Sequence, residues 1–144
     1  SKVIHGGKCI GRLFGGNLST FTLGLLGSEF LPSYSEGGIF FWESASETPQ
    51  IIDQFLTCLR NAGFFENVKG MIIGDFIREE SEEYKKRDPF NMVLSVLEHY
   101  NFPILYYPSF GHLSELENPT IPIGPLCELN ADNGSLFLRE DYVE

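Results

Sequence analysis

Residues 39–43 read Ile-Phe-Phe-Trp-Glu, an apolar run closed by a carboxylate. A short run rich in aromatic and β-branched residues, flanked by Gly37-Gly38 and by Ser44, fits a strand buried on both faces. Thr48-Pro49 follows, the residue pair of a helix start. Ile51, Ile52, Phe55, Leu56, Leu59 and Ala62 then recur at helical spacing, and Gly63 stops the pattern. Residues 71–73, Met-Ile-Ile, form a second buried strand. A strand, a helix and a strand in that order make a βαβ unit, so the reading of residues 39–43 decides an α/β fold.

The same grammar extends outward. Residues 8–14 mix apolar and polar residues as a strand would, and Gly15-Gly16 is expected to break it. Asn17 then serves as N-cap for a helix through Leu18, Phe21, Leu25 and Leu26, ended by Gly27. Residues 32–38 read as a loop. Asp88-Pro89 opens another helix, with Phe90, Val93, Leu94 and Leu97 on one face. Residues 103–107 form a third strand. Residues 121–129 and 136–139 alternate, and Asp132-Asn133-Gly134 joins them as a hairpin. The charged segment 78–88 is expected to be a solvated loop or exposed helical turn. There are no internal repeats.

Composition excludes several function classes. At 144 residues the chain is one domain, long enough to bury a core. A formal charge of −10 argues against a phosphate-backbone partner, which needs clustered Lys and Arg. No apolar run approaches the length that crosses a membrane. Cys9, Cys58 and Cys127 are widely spaced and odd in number, so three reduced, mostly buried thiols are expected rather than a disulfide framework or a zinc site.

Two residues carry the chemical signal. Glu43 ends the first apolar run, and a carboxylate emerging from a buried strand needs a partner. His112 follows Gly111 in a tight loop, Phe110-Gly111-His112. An acid that orients an imidazole, and an imidazole that takes a proton from a nucleophile, form two members of a hydrolytic triad. No serine sits in a Gly-x-Ser-x-Gly elbow. Ser109 is near His112 in sequence without any sign of activation. Asp75, at a strand end, is a candidate substrate contact, and Gly15-Gly16-Asn17 opens a helix whose N-terminal N–H groups suit an anion. His5 reads as part of a loose terminus, and His99 as a residue near a helix C-terminus.

Gly11-Arg12-Leu13-Phe14-Gly15-Gly16-Asn17-Leu18, the run 39–43 with Glu47, Pro49 and Asp53, Val68 through Phe76, Phe110-Gly111-His112 and Ile121-Pro122-Ile123-Gly124 follow one another in a familiar order. Together they resemble the second domain of the LD-carboxypeptidase family, serine peptidases that include the microcin C immunity hydrolases. The resemblance implies a swivelling β/β/α barrel-like domain with a mixed sheet. It implies that Glu43 and His112 are the acid and base of a Ser-Glu-His triad, and that Asn17 lies near the substrate. It implies no cofactor and no metal, and a metal site built on Glu43, Asp75 and His112 would lack recognisable ligand spacing. The family's first domain, which bears the nucleophilic serine, has no counterpart in residues 1–144. The chain begins at Ser1 without Met and reads as a segment of a longer protein, so that domain is the expected partner.

Other partners implied are a small peptide or aminoacyl-nucleotide substrate and a second copy in a homodimer. No nucleic acid or membrane partner is expected, and the cytoplasm is the expected location. Family substrates are murein tetrapeptides cleaved between an L- and a D-centre, or amide-bonded aminoacyl nucleotides. Glu43-Ser44-Ala45-Ser46-Glu47, with Glu82-Glu83-Tyr84, leans toward the second branch. The alternative is a non-catalytic peptide-binding or interaction module on the same fold.

Overall fold

The structure, a computed structural model, describes residues 1–45, 47–77, 82, 86, 88–112 and 118–141, apart from the side chain of Tyr34. Its centre is a seven-stranded mixed sheet. The strands are β1 (Lys2–His5), β2 (Lys8–Asn17), β3 (Ile39–Glu43), β4 (Gly70–Ile73), β5 (Ile104–Tyr106), β6 (Leu126–Asn130) and β7 (Ser135–Leu138), in the spatial order β1-β5-β4-β3-β2-β6-β7. β2, β3, β4 and β5 run parallel. β1, β6 and β7 join antiparallel at the two sides.

The parallel strands are laid down in one direction across the sheet. Right-handed crossovers that always step the same way leave every connecting helix on the same face. Among the described residues the helices with both ends defined are α1 (Leu18–Gly24), α2 (Pro49–Asn61) and α3 (Pro89–Val96). They cover one face; the other, called the open face because no described helix lies on it, packs a smaller core as the sheet curls into a half-barrel.

Side-chain alternation then sorts each strand onto two faces. Phe14, Phe40, Trp42, Met71, Ile73 and Ile104 pack with the helices in the larger core. Leu13, Ile39, Phe41, Ile72 and Leu105 point the other way and pack with Phe110, Cys127 and Leu129 in a smaller one. In the larger core the Trp42 indole Nε1–H also meets Met71 Sδ at 3.3 Å, so its one polar group is not left unpaired.

Several local expectations are corrected. Gly15-Gly16 does not break β2, which continues to Asn17. Both glycines have positive φ, 149° and 154°, and a Cβ on Gly15 would lie 1.8 Å from the Phe41 carbonyl oxygen. Here glycine permits close approach of two paired strands rather than a turn. His5 is not loose: β1 pairs with β5, and His5 Nδ1 lies 2.8 Å from the Phe102 carbonyl oxygen.

Helix α1 stops at Gly24 with Leu25 as its C-cap, short of Gly27. Thr48 holds the N-cap position of α2 but makes no side-chain capping bond, whereas Asp88 caps α3 by accepting from the Phe90 N–H at 2.9 Å. The strand expected over 121–129 begins only at Leu126. Cys58 is exposed, unlike Cys127. The charged segment 78–88 falls mostly outside the described residues; of those that are described, Glu82, Lys86 and Asp88 are exposed.

Candidate active site

The site lies at the C-terminal ends of the parallel strands, where open α/β sheets present their loops for binding. Backbone hydrogen bonds stitch these ends together. Gly74 N–H donates to the Trp42 carbonyl at 2.7 Å, Ser44 N–H to the Asp75 carbonyl at 3.1 Å, and Asp75 N–H to the Phe110 carbonyl at 2.8 Å. The histidine loop is thereby anchored beside the end of β3. Gly111 permits this closeness. Its φ is 127°, and a Cβ there would sit 3.1 Å from the Glu43 Cβ and 3.3 Å from the Asp75 backbone.

Glu43 is the last residue of β3 and shares the open face with Ile39 and Phe41. Only 9% of its side chain is exposed, against 63% for His112. Although 69 positions apart in sequence, Glu43 Oε2 and His112 Nδ1 are 2.8 Å apart. The same oxygen also accepts the His112 backbone N–H at 3.1 Å. A carboxylate only accepts, so His112 Nδ1 carries the proton of this bond and Nε2 is the nitrogen left to act as base. Hydrogen bonding to Glu43, then the charge of Glu43, raises the His112 pKa above the usual 6.5 against the opposing effect of desolvation; Glu47 adds to the rise.

Asn17 reaches the same carboxylate. Parallel register sets Asn17 opposite Glu43, and Asn17 Nδ2–H donates to Glu43 Oε1 at 3.1 Å. Asn17 is also the N-cap of α1, its Oδ1 accepting from the Thr20 N–H. Asp75 joins the site through its backbone, which links Ser44 to Phe110. The structure thus brings Glu43, His112 and Asn17 into one hydrogen-bonded group, with Asp75 as its neighbour.

Glu47, which the sequence analysis quoted within a motif without giving it a role, also acts on this group. It accepts from the buried Ser44 hydroxyl and contributes to the field on His112. Its place in the stretch after Glu43 was the available signal. Beside the acid and the histidine loop an apolar groove of about 310 Å³ opens on the same face, lined by Leu13, Phe41, Ile72, Leu105, Phe110 and Ile121 among others.

Among the described residues, no hydroxyl or thiol makes a hydrogen bond to His112. Ser44 is committed to Glu47. Burial pushes the Cys9 and Cys127 thiols up to about 11, far from the range of a reactive thiolate. Among the described residues no group of three or more His, Cys, Asp or Glu is arranged to hold a metal ion, and no helix is long and apolar enough to cross a membrane.

Comparison with known proteins agrees with this arrangement of strands and loops. The Microcin C7 self-immunity protein MccF of Escherichia coli is 29% identical over 137 residues, covering 95% of this chain and 39% of that protein. The structure of MccF in complex with glutamyl sulfamoyl guanosine superposes with a TM-score of 0.82 at 27% identity, over 99% of this chain and 42% of that one. A muramoyltetrapeptide carboxypeptidase from Oxalobacter formigenes superposes with a TM-score of 0.73 at 25% identity, over 94% of this chain and 46% of that one. The chain therefore spans less than half the length of these relatives. The family model for the LD-carboxypeptidase C-terminal domain matches residues 10–129, a span that includes the β2–β3 pairing, the acid and the histidine loop, and the chain belongs to that family.

Proposed function

We propose that this domain supplies the acid and the base of a Ser-Glu-His triad, in a hydrolase whose nucleophilic serine lies on another domain of the parent protein. The observation that carries the reading is the 2.8 Å contact between Glu43 and His112 Nδ1. It spends one ring nitrogen on orientation and leaves Nε2 for chemistry. The serine hydroxyl gives its proton to His112 Nε2 as its oxygen attacks the amide carbonyl. Nε2–H then protonates the departing amine, and a water repeats the cycle to release the acyl group. Glu43 holds the Nδ1–H tautomer and stabilises the imidazolium that forms.

The substrate classes proposed are an L,D-tetrapeptide and an aminoacyl sulfamoyl nucleotide. Support comes from relatives: MccF has been solved with glutamyl sulfamoyl guanosine and with aspartyl sulfamoyl adenosine, and a muramoyltetrapeptide carboxypeptidase shares the fold. The apolar groove beside Phe41 and Phe110 suits the uncharged part of such a ligand.

The test is turnover of both substrates by the parent protein and its variants. His112→Ala is expected to lower kcat by a factor on the order of 10⁴ to 10⁶. The isolated 144-residue chain is expected to show no turnover, because a triad works as a unit. Wild-type turnover by the His112→Ala parent would refute the assignment.

A further inference from the structure

A second hollow lies at the opposite end of the sheet from Glu43 and His112. Its volume is about 710 Å³, and Lys8, Arg60, Lys69 and Tyr100 stand around it, with the buried rings of Phe65 and Phe102 in its wall. Lys8 opens β2, ten residues long, and Asn17 closes it. At the rise of a strand this puts the hollow roughly 30 Å from the candidate active site. A small ligand here does not reach the triad.

Three chain segments bring the cations together. Lys8 starts β2, Lys69 immediately precedes β4, and Arg60 lies in the last turn of α2. The Lys69 N–H donates to the Gly38 carbonyl at 2.9 Å. A Cβ on Gly37 would lie 3.6 Å from Lys69 Nζ, so the ammonium lies beside that glycine. Burial, then Glu66, raises the pKa of the Tyr100 phenol, and the charge of Arg60 opposes the rise. Burial pushes the Cys9 thiol up to about 11, and the charge of Lys69 opposes it. Both cations therefore act on groups that line the hollow.

Their charge is not matched by carboxylates. The chain carries 20 Asp and Glu against 10 Lys and Arg. Arg12 and Arg139 each take an acid, Glu140 and Glu128. Among the described residues Lys8, Arg60 and Lys69 make no ion pair. Glu66, in the same lining, accepts from the Tyr100 hydroxyl at 3.2 Å, and the neighbouring Glu98 faces His99 at 3.5 Å. A cation in the last turn of a helix suits the helix dipole, which accounts for Arg60 by itself. Lys8 and Lys69 stand at strand starts, where no such field exists.

The lining also selects among anions. A phosphomonoester carries about −1.5 to −2 charges at pH 7 and three acceptor oxygens, enough to engage three cations at once. A carboxylate carries one charge and two oxygens. The planar guanidinium of Arg60 matches phosphate geometry, and the aromatic wall suits an uncharged body attached to the phosphate.

We propose that this hollow is a binding site for a small organic phosphate, its phosphomonoester held by Lys8, Arg60 and Lys69 and its apolar body resting against Tyr100 and Phe65. The proposal does not depend on the triad reading, and its test uses no turnover.

The experiment follows backbone amides and histidine rings of the 144-residue chain by NMR at constant ionic strength. The probes are phenyl phosphate, inorganic phosphate and benzoate. Phenyl phosphate is expected to shift the amides of Lys69 and Gly70 and the His99 ring in a saturable way, leaving the His112 ring in place. Inorganic phosphate and benzoate are expected to bind at least several-fold more weakly, one lacking the body and the other the dianion. Lys8→Gln and Lys69→Gln, both at exposed positions, and Arg60→Gln are each expected to weaken phenyl phosphate roughly tenfold. The two lysine variants carry the test if Arg60→Gln fails to fold.

No saturation by about 10 mM phenyl phosphate would overturn the proposal. So would unchanged affinity in a folded double variant Lys8→Gln/Lys69→Gln, or shifts confined to the His112 loop, which would place the ligand at the candidate active site. Benzoate binding as tightly as phenyl phosphate would reject the phosphate class, and inorganic phosphate binding as tightly would reject the apolar body.

Discussion

Phe40 and Trp42 point toward the helices; Phe41 and Glu43, their neighbours in the same strand, point away. On the covered face Phe14, Phe21, Phe40, Phe64 and Phe65 form a mesh of ring contacts, and Trp42 packs on Phe76. On the open face a smaller set of apolar side chains packs a second core and lines a groove. A strand cannot choose one face for all its residues, so winding the crossovers one way puts the helices and the larger core on one side and a smaller core on the other. The carboxylate, the asparagine and the histidine loop all belong to the side of the smaller core. One half of each strand packs under the helices; the other half packs the smaller core, and the candidate site is built at its strand ends.

Four substitutions test that division, in falling order of effect. Trp42→Ala empties the centre of the covered face and is expected to cost about 3–5 kcal/mol, read as a lower denaturant midpoint. A loss below about 1 kcal/mol would show that the covered face is not the main core. Gly15→Ala joins the two faces at their closest approach. The added methyl meets the Phe41 carbonyl and the backbone sits at positive φ, so roughly 3 kcal/mol is expected from strain and overpacking together. Wild-type stability in calorimetry would refute the close approach of β2 and β3.

Phe41→Ala on the open face is expected to cost about 2 kcal/mol, less than Trp42→Ala, because one side of the ring borders the groove. Equal losses for the two would erase the comparison.

The smallest effect concerns pH. His112 has a raised folded-state pKa, caused first by its hydrogen bond to Glu43. A raised value means the folded state holds the proton more tightly. That contribution is fully present below the unfolded pKa of about 6.5 and is lost as pH rises through the folded value. Because the ring is exposed, it amounts to less than about 1 kcal/mol. Glu43→Gln is expected to flatten the stability-versus-pH curve in that window and to lower the His112 midpoint. If the proposed parent hydrolase is assayed, the acid limb of kcat/KM is expected to move to lower pH with it. A limb that stays in place would remove Glu43 from control of the base.

Much of the covered face was legible in the sequence. β3, β4 and α2 announce themselves through apolar runs and helical spacing, because burial on a periodic element leaves a periodic record. β1 was not legible. Lys2-Val3-Ile4-His5 is short and partly exposed, and it is a strand only because β5 offers it an edge. The extension of β2 through Gly15-Gly16 was hidden for a related reason. Two glycines signal a break unless a neighbouring backbone presses close enough to require them.

The site divides in the same way. The chain alone marked Glu43 as a carboxylate emerging from a buried strand, which needs a partner, and marked His112 through the glycine that turns its loop. It marked Asn17 as a helix cap, through side-chain chemistry that operates within a few residues. What the sequence could not contain is the parallel register that puts Asn17 beside Glu43, the Asp75 backbone that ties Ser44 to Phe110, or the two donors of His112 converging on one oxygen. Those relations join residues far apart in the chain. They exist only when crossovers of one hand have laid the strand ends side by side, because hydrogen bonds act over about 3 Å and carry no trace in local composition.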